Sequence, residues 1–279
     1  MKESQTISLG YDTIKLYLDG SYYQHIENSL ATQGIALQGK RKTPCGKFTE
    51  AAWFLYSKNV KVRLRFHKMK TTLSFEPAAM IYGNNFPLAG VRETKTAILA
   101  LGGLLKIHVE ELQVSRLDIS ANLPLAHKHI RDYTHLLVPP PYMKLQKEYT
   151  YDVEEEGCKM KKNGHVYFAG KAKGSNRAVV VYEKQDMMRI EMRFLKAVKR
   201  SFREMLKYHN KASALYEEDF FQRAMHYYIY NIVEKMCKES SVELESIMSQ
   251  LKRYAEAASL TDKALTHEVL TLTSTKVAA

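Results

Sequence analysis

Residues 177–196 read RAVVVYEKQDMMRIEMRFLK, and their pattern decides the fold. The first half, Ala178–Lys184, is an apolar strand pattern that ends on Tyr182 with a lysine close behind. The second half alternates. Side chains along a strand point to opposite faces in turn, so Arg189, Glu191 and Arg193 share one face while Ile190, Met192 and Phe194 share the other. Lys184 stands two residues after Tyr182 and therefore on the same face.

Working outward, the same patterns predict strands at Ile14–Leu18, Val60–Phe66, Thr72–Glu76, Val114–Ala121, Glu148–Val153 and His165–Ala169. Helical periodicity covers Thr94–Glu111, although Gly102 and Gly103 weaken it. A second helix is expected at Pro124–Leu137, with proline in its first turn, ended by the stiff run Pro139-Pro140-Pro141. Gly170–Asn176 reads as a hairpin loop. It lacks the glycine and lysine spacing of a phosphate-cradling loop. From about residue 196 onward there is no Gly or Pro, and helices are expected near 215–239, 241–257 and 262–272. Strands outnumber helices and several are joined by short turns. The expected class is α+β, a largely antiparallel central sheet with helices packed on one face, then a C-terminal helical segment. The expected division is a catalytic domain over 1–205 and a helical extension over 206–279.

The 279 residues carry 42 Lys and Arg against 30 acids, a net charge of +12. That balance points to a polyanionic partner. With 45% hydrophobic residues the chain can bury a core. No apolar run approaches the ~18 residues of a membrane span, and the N-terminus MKESQTISLGYD has no apolar signal-like region. The three cysteines, Cys45, Cys158 and Cys237, are far apart, which fits a reducing compartment and argues against a cysteine-rich zinc site.

Three strands each carry one acid on a polar face. Arg116, Asp118 and Ser120 oppose Leu117 and Ile119; Glu191 lies between two arginines; Ser74 and Glu76 oppose Leu73 and Phe75. Each alone reads as a half-solvated sheet with surface ion pairs. Together, hard oxygen ligands suit Mg²⁺ or Mn²⁺, provided the strands are neighbours, which sequence does not show. Tyr182 can be a wet residue at the edge of the core or a nucleophile.

In order along the chain, four stretches resemble one family: TTLSFEPAAMIYGNNFPLAG, VSRLDISANLP, HVYFAGKAKGSNRAVVVYEK and RIEMRFLKAVKRSF. They are similar to the initiators of rolling-circle replication in filamentous phages and related plasmids, which nick and rejoin one DNA strand with a tyrosine. The resemblance spans roughly residues 60–205. It implies that Tyr182 is the nucleophile and Lys184 its companion, and that Asp118 and Glu191, with Glu76 on a looser match, hold the Mg²⁺ or Mn²⁺. It also implies a 5′-phosphotyrosine intermediate, origin DNA (single-stranded or hairpin) as partner and a bacterial host cytoplasm, and is compatible with host helicase and polymerase contacts. A homodimer is compatible with it. Relatives carry an acid shortly after the aspartate of the second stretch, where Asn122 stands here, and no His-x-His metal pair is present.

Basic clusters support DNA handling. Lys61, Arg63 and Arg65 share one strand face, and Arg116, Arg189 and Arg193 flank the acids. Lys171, Lys173 and Arg177 lie in or beside the hairpin loop. Lys196, Lys199, Arg200, Arg203 and Lys207 recur at helical spacing as one stripe, with Val198, Phe202 and Met205 on another. Tyr142, Tyr149 and Tyr151 are candidate base-stacking residues. Two rival readings are a DNA-binding regulator without catalysis and a metal-dependent nuclease that uses water.

Overall fold

A computed structural model describes residues 7–41, 49–124, 137–140, 143–155, 158–170, 176–185, 187–195, 198–236, 245, 249 and 251–253. Ten strands form a single sheet in the order β2-β3-β4-β5-β1-β6-β10-β9-β8-β7. They are β1 (Ser8–Asp19), β2 (Gln38–Arg41), β3 (Thr49–Ser57), β4 (Val60–His67), β5 (Lys70–Phe75), β6 (Gln113–Pro124), β7 (Met143–Glu155), β8 (Cys158–Gly170), β9 (Arg177–Lys184) and β10 (Met187–Phe194). Every pairing is antiparallel.

One face of the sheet is apolar and covered by helices. In β4 the alternation is complete: Val60, Val62, Leu64 and Phe66 are buried while Lys61, Arg63 and Arg65 are exposed. Ile14 and Leu16 of β1, Leu117 and Ile119 of β6, and Ile190, Met192 and Phe194 of β10 join the same core. Helix α1 (Tyr23–Ala31) adds Ile26 and Leu30, and helix α3 (Val91–Leu105) adds Ala97, Ile98, Leu101 and Leu105 at helical spacing. Helix α2 (Pro77–Tyr82) starts on a proline and is capped by Gly83 at φ 74°, where a left-handed residue ends the turn. Helix α4 (Val198–Met205) sets Phe202 edge-on to Phe194. Helix α5 (Glu218–Tyr228) continues through a π-helical turn, Ile229–Val233, to Met236. It is tied to the sheet by the Tyr228 hydroxyl, which donates to Ile190 O at 2.6 Å.

Four expectations need correction. β2 and β3 were not foreseen. The helix expected over Thr94–Glu111 stops at Leu105, because Lys106 is left-handed (φ 54°), and a 3-10 turn, Val109–Glu111, follows. Pro124 closes β6 opposite Met187 instead of opening a helix; the rest of that expected helix up to residue 136 lies outside the described residues. The helical stripe is broken, since α4 ends at Met205 and Lys207 takes φ 58°. Residues 171–175, Tyr142, Lys196 and the helix expected at 262–272 also lie outside the described residues. Tyr149 and Tyr151 are described only as paired β7 backbone. Among the described residues no helix is long and apolar enough to cross a membrane.

Candidate active site

The face away from the helices carries the polar side chains of β1, β6, β10 and β9, and strand pairing brings them together. Glu191 pairs with Ser120, Arg193 with Asp118, and Arg189 with both Asn122 and Tyr182. Tyr11 pairs with Ile119 and Ile14 with Leu117, so Asp12 and Thr13 together oppose Asp118. This β-bulge lets both Tyr11 and Ile14 reach the core and turns Asp12 toward Asp118. One carboxylate oxygen from each of Asp12, Asp118 and Glu191 lies within 4.8 Å of the others. Among the described residues, this is the one group of three or more acids, histidines or cysteines that could hold a metal ion.

Three arginines hold the three acids. Arg116 Nε donates to Asp118 Oδ1 at 2.8 Å, Arg193 Nε to Glu191 Oε1 at 2.5 Å, and Arg189 Nη1 to Asp12 Oδ1 at 2.7 Å. Asp118 is wholly buried and Glu191 nearly so, whereas the Arg116 and Arg193 side chains are 31% and 28% exposed. The two arginines therefore roof the acids.

Burial pushes the Asp118 carboxyl well above its usual range; Glu191 adds to the shift and Arg116 opposes it. Asp12 moves the same way, by burial and then by the charge of Glu191. Burial acts on Glu191 too, yet the Arg193 charge and hydrogen bond outweigh it and leave its pKa lowered. Tyr182 donates its hydroxyl to Glu191 Oε2 at 2.9 Å. Burial, then the Glu191 and Asp12 charges, raise the phenol far above its ordinary value.

Behind the acids, Arg189 is fully buried. Its Nε donates to Asn122 Oδ1 at 2.6 Å, Nη1 reaches Asn85 O at 3.3 Å, and Nη2 donates to Phe86 O at 2.6 Å. Lys184 Nζ donates to Asn85 O at 2.6 Å, so it is tethered beside Tyr182 by the turn that follows α2. Burial and then Arg189 push the Lys184 pKa down. That turn is stitched to β1 by two backbone bonds between Tyr11 and Ala89, at 2.9 and 3.0 Å. Gly10 makes the close approach possible, since a Cβ there would lie 2.5 Å from Ala89 O.

Of the residues singled out in the sequence, Tyr182, Lys184, Asp118, Glu191, Arg116 and Arg193 converge. Glu76 ends the strand pattern as the residue before α2. It is near enough for its charge to act on Asp12 and Lys184 but is not one of the three clustered acids. Arg189, expected to meet DNA, is sealed inside. Arg177 points to the helix-covered face, where it donates to the Tyr227 hydroxyl at 2.6 Å. Lys199, Arg200 and Arg203 are exposed on α4, also on that side, and Arg200 pairs with Glu204 at 2.9 Å. Lys61, Arg63 and Arg65 are exposed on the same face as the acids. Lys171, Lys173 and Lys196 lie outside the described residues.

Sequence reasoning passed over Asp12. The signal was the odd gap between Tyr11 and Ile14, two apolar residues three apart that a regular strand cannot place on one face.

No protein-family model matches the chain, and no curated protein matches it in sequence. Among solved structures it is similar to a rolling circle replication initiator protein from Geobacillus stearothermophilus. The identity is 9%, the match covers 90% of this chain and 96% of that one, and the TM-score is 0.47. A second likeness is to DynU16, a protein of the dynemicin biosynthetic locus. Its identity is 12%, the coverage is 75% and 99%, and the TM-score is 0.20. Likenesses this distant say nothing of the chemistry.

Proposed function

We propose that this protein nicks and rejoins one strand of DNA through Tyr182, as an initiator of rolling-circle replication does. The observation that carries the reading is the Tyr182 hydroxyl bonded to Glu191 at the edge of a three-carboxylate cluster.

The donor set fits a divalent cation. The ligand atoms are hard oxygens. Asp118 and Asp12 are held in a site that disfavours their charge. Ser120 Oγ is buried beside them with no hydrogen-bond partner. Asp12, Asp118 and Glu191 would hold Mg²⁺ or Mn²⁺, which when bound neutralises charge developing on the scissile phosphate.

The chain's own residues carry the remaining steps. Arg116 and Arg193 rest on the acids and are partly exposed, so they can exchange a carboxylate for a backbone phosphate and orient it. The Tyr182 oxygen attacks phosphorus in line, the 3′-oxygen of the upstream fragment leaves with its bonding electrons and takes a proton from solvent water, and the downstream fragment stays on the tyrosine through its 5′-phosphate as a phosphodiester. The raised phenol pKa means the proton must leave during attack, and Glu191, already its acceptor, takes it. Lys184, tethered nearby, adds positive charge. Attack by a 3′-hydroxyl reverses the step and reseals the strand, because the phosphodiester energy is retained.

The test is a labelled single-stranded oligonucleotide incubated with Mn²⁺ and run on a denaturing gel. Transfer of the fragment downstream of the cut onto the protein, through its 5′-phosphate, is expected. Cutting without attachment would leave a water-using nuclease, and a shifted but uncut strand a DNA-binding regulator.

A further inference from the structure

The open face of the sheet carries a second arrangement that begins at the acid cluster and runs away from it. Trp53 pairs with Arg63, Arg63 with Ser74, Ser74 with Lys15, and Lys15 with Arg116. Paired residues stand side by side on one face. These five therefore form a straight row across β3, β4, β5, β1 and β6, about 19 Å long at about 4.8 Å per strand. The row ends on Arg116, whose guanidinium holds Asp118. A parallel row holds Arg65, Thr72, Tyr17 and Gln113.

Both rows carry cations and, apart from Arg116, which pairs with Asp118, these are not locally neutralised. Among the described residues, Lys15, Lys61, Arg63 and Arg65 form no ion pair. Burial, then the charges of Arg65, Lys70 and Arg116, lowers the Lys15 pKa, so these cations crowd one another. Two aromatic rings lie among them. Lys61 Nζ sits 4.7 Å from the Trp53 ring centroid and Lys70 Nζ 3.7 Å from that of Tyr17. Aromatic rings and cations side by side on one sheet face suit unpaired bases, which expose their faces; a duplex hides them.

We propose that these rows seat the single DNA strand leading to the scissile phosphate. Backbone phosphates lie on Arg63, Lys15 and Arg116, and unpaired bases stack on Trp53 and Tyr17, displacing the lysines that cover the rings. The inference rests on the nicking reading for where the strand ends, but not for the seat itself.

Trp53 is the one tryptophan in the chain, so its intrinsic fluorescence reports the seat directly. The experiment titrates Tyr182→Phe protein, in the presence of a chelator, with an unlabelled single-stranded oligonucleotide and separately with the same sequence as a duplex. Quenching of Trp53 by the single strand, and little by the duplex, is expected. Trp53→Ala should weaken single-strand binding by about 5- to 160-fold, the loss of one stacked base. Changing Arg63 and Lys15 together to glutamine should lower the slope of log affinity against log salt by about 1.4. Binding with unchanged Trp53 fluorescence, equal quenching by the duplex, or no single-strand binding would each overturn the proposal. Should Trp53→Ala fail to fold, the quenching of the unaltered ring still decides. Quenching without covalent attachment in the parallel reaction would sink the nicking reading and leave this seat standing; attachment without quenching would do the opposite.

Discussion

Tyr182 and Glu191 lie on neighbouring strands, two residues out of register, and the hydroxyl of one donates to the carboxylate of the other at 2.9 Å. The single bond acts on the two groups in opposite directions: it helps keep Glu191 ionised and helps keep the phenol protonated. Phe at position 182 removes the hydroxyl but keeps the ring. Covalent attachment to DNA should vanish in Tyr182→Phe while single-strand affinity stays unchanged. The covalent product is scored on a denaturing gel and affinity by anisotropy; an attached product from the mutant would place the nucleophile elsewhere.

The bulge in β1 gives Asp12 the same standing as Asp118 and Glu191. Asp12→Asn should therefore lower cleavage by about 10² to 10³, the usual loss when one preorganised electrostatic group is removed, and should weaken Mn²⁺ binding measured by calorimetry. In the unaltered protein Mn²⁺ at 100 times its Kd should add about 2.7 kcal/mol of stability. A chelator should reverse that gain, and Asp12→Asn should not show it.

The three acids differ in sign. The folded protein raises the Asp118 pKa, so this residue's contribution is fully present below its unfolded pKa, about 3.9, and is lost as pH rises through the folded value. Asp118→Asn should accordingly raise Tm at pH 7 without metal by about 2–4 °C, the shift that 1 kcal/mol gives a protein of this size. The gain should shrink as pH falls toward about 4. Glu191 is lowered, so its contribution exists above its unfolded pKa and is lost on acidification. Glu191→Gln should lower Tm at pH 7. Thermal scans across pH separate the two; equal signs would contradict the charge assignment.

Arg189 serves four acceptors on three elements: Asp12, Asn122 and the carbonyls of Asn85 and Phe86. Arg189→Met strands the Asp12 charge and should cost about 3–5 kcal/mol in urea unfolding, as breaking a buried pair does. Arg189→Lys should recover little, since an ammonium lacks the planar fork that reaches all four.

The cations of α4 face away from the acids. Neutralising Lys199 and Arg203 should leave cleavage of a short oligonucleotide unchanged. If duplex origin DNA wraps to that side, the same change should reduce its salt slope by about 2, one unit for each phosphate no longer bound; an unaltered slope removes α4 from the interface.

The central strands were legible because one face is apolar and the other charged, as in Arg189–Phe194 and Lys61–Arg65. β3 was not, because its open-face residues include Trp53 and Leu55 while its core face includes Ala52 and Phe54, so hydrophobicity does not alternate. The helix after Gly90 read too long because periodicity does not register a left-handed Lys106. At the site, alternation could name Asp118, Glu191 and Tyr182 as polar-face residues. It could not supply Asp12, since a bulge breaks the period on which such reading depends. Nor could it separate Arg189 from Arg193: both share one face of β10, and what differs is the Asn85–Phe86 turn that covers the first and leaves the second partly open.

The strand order also governs when the acids first meet. Asp12 belongs to the first strand made and Glu191 to the last, yet a single intervening strand, β6, separates β1 from β10 in the sheet. During synthesis β1 has neither neighbour until β5 and β6 emerge. A ribosome-bound or protease-clipped fragment ending before residue 187 carries no complete triad, so the three acids assemble only once all ten strands have been translated.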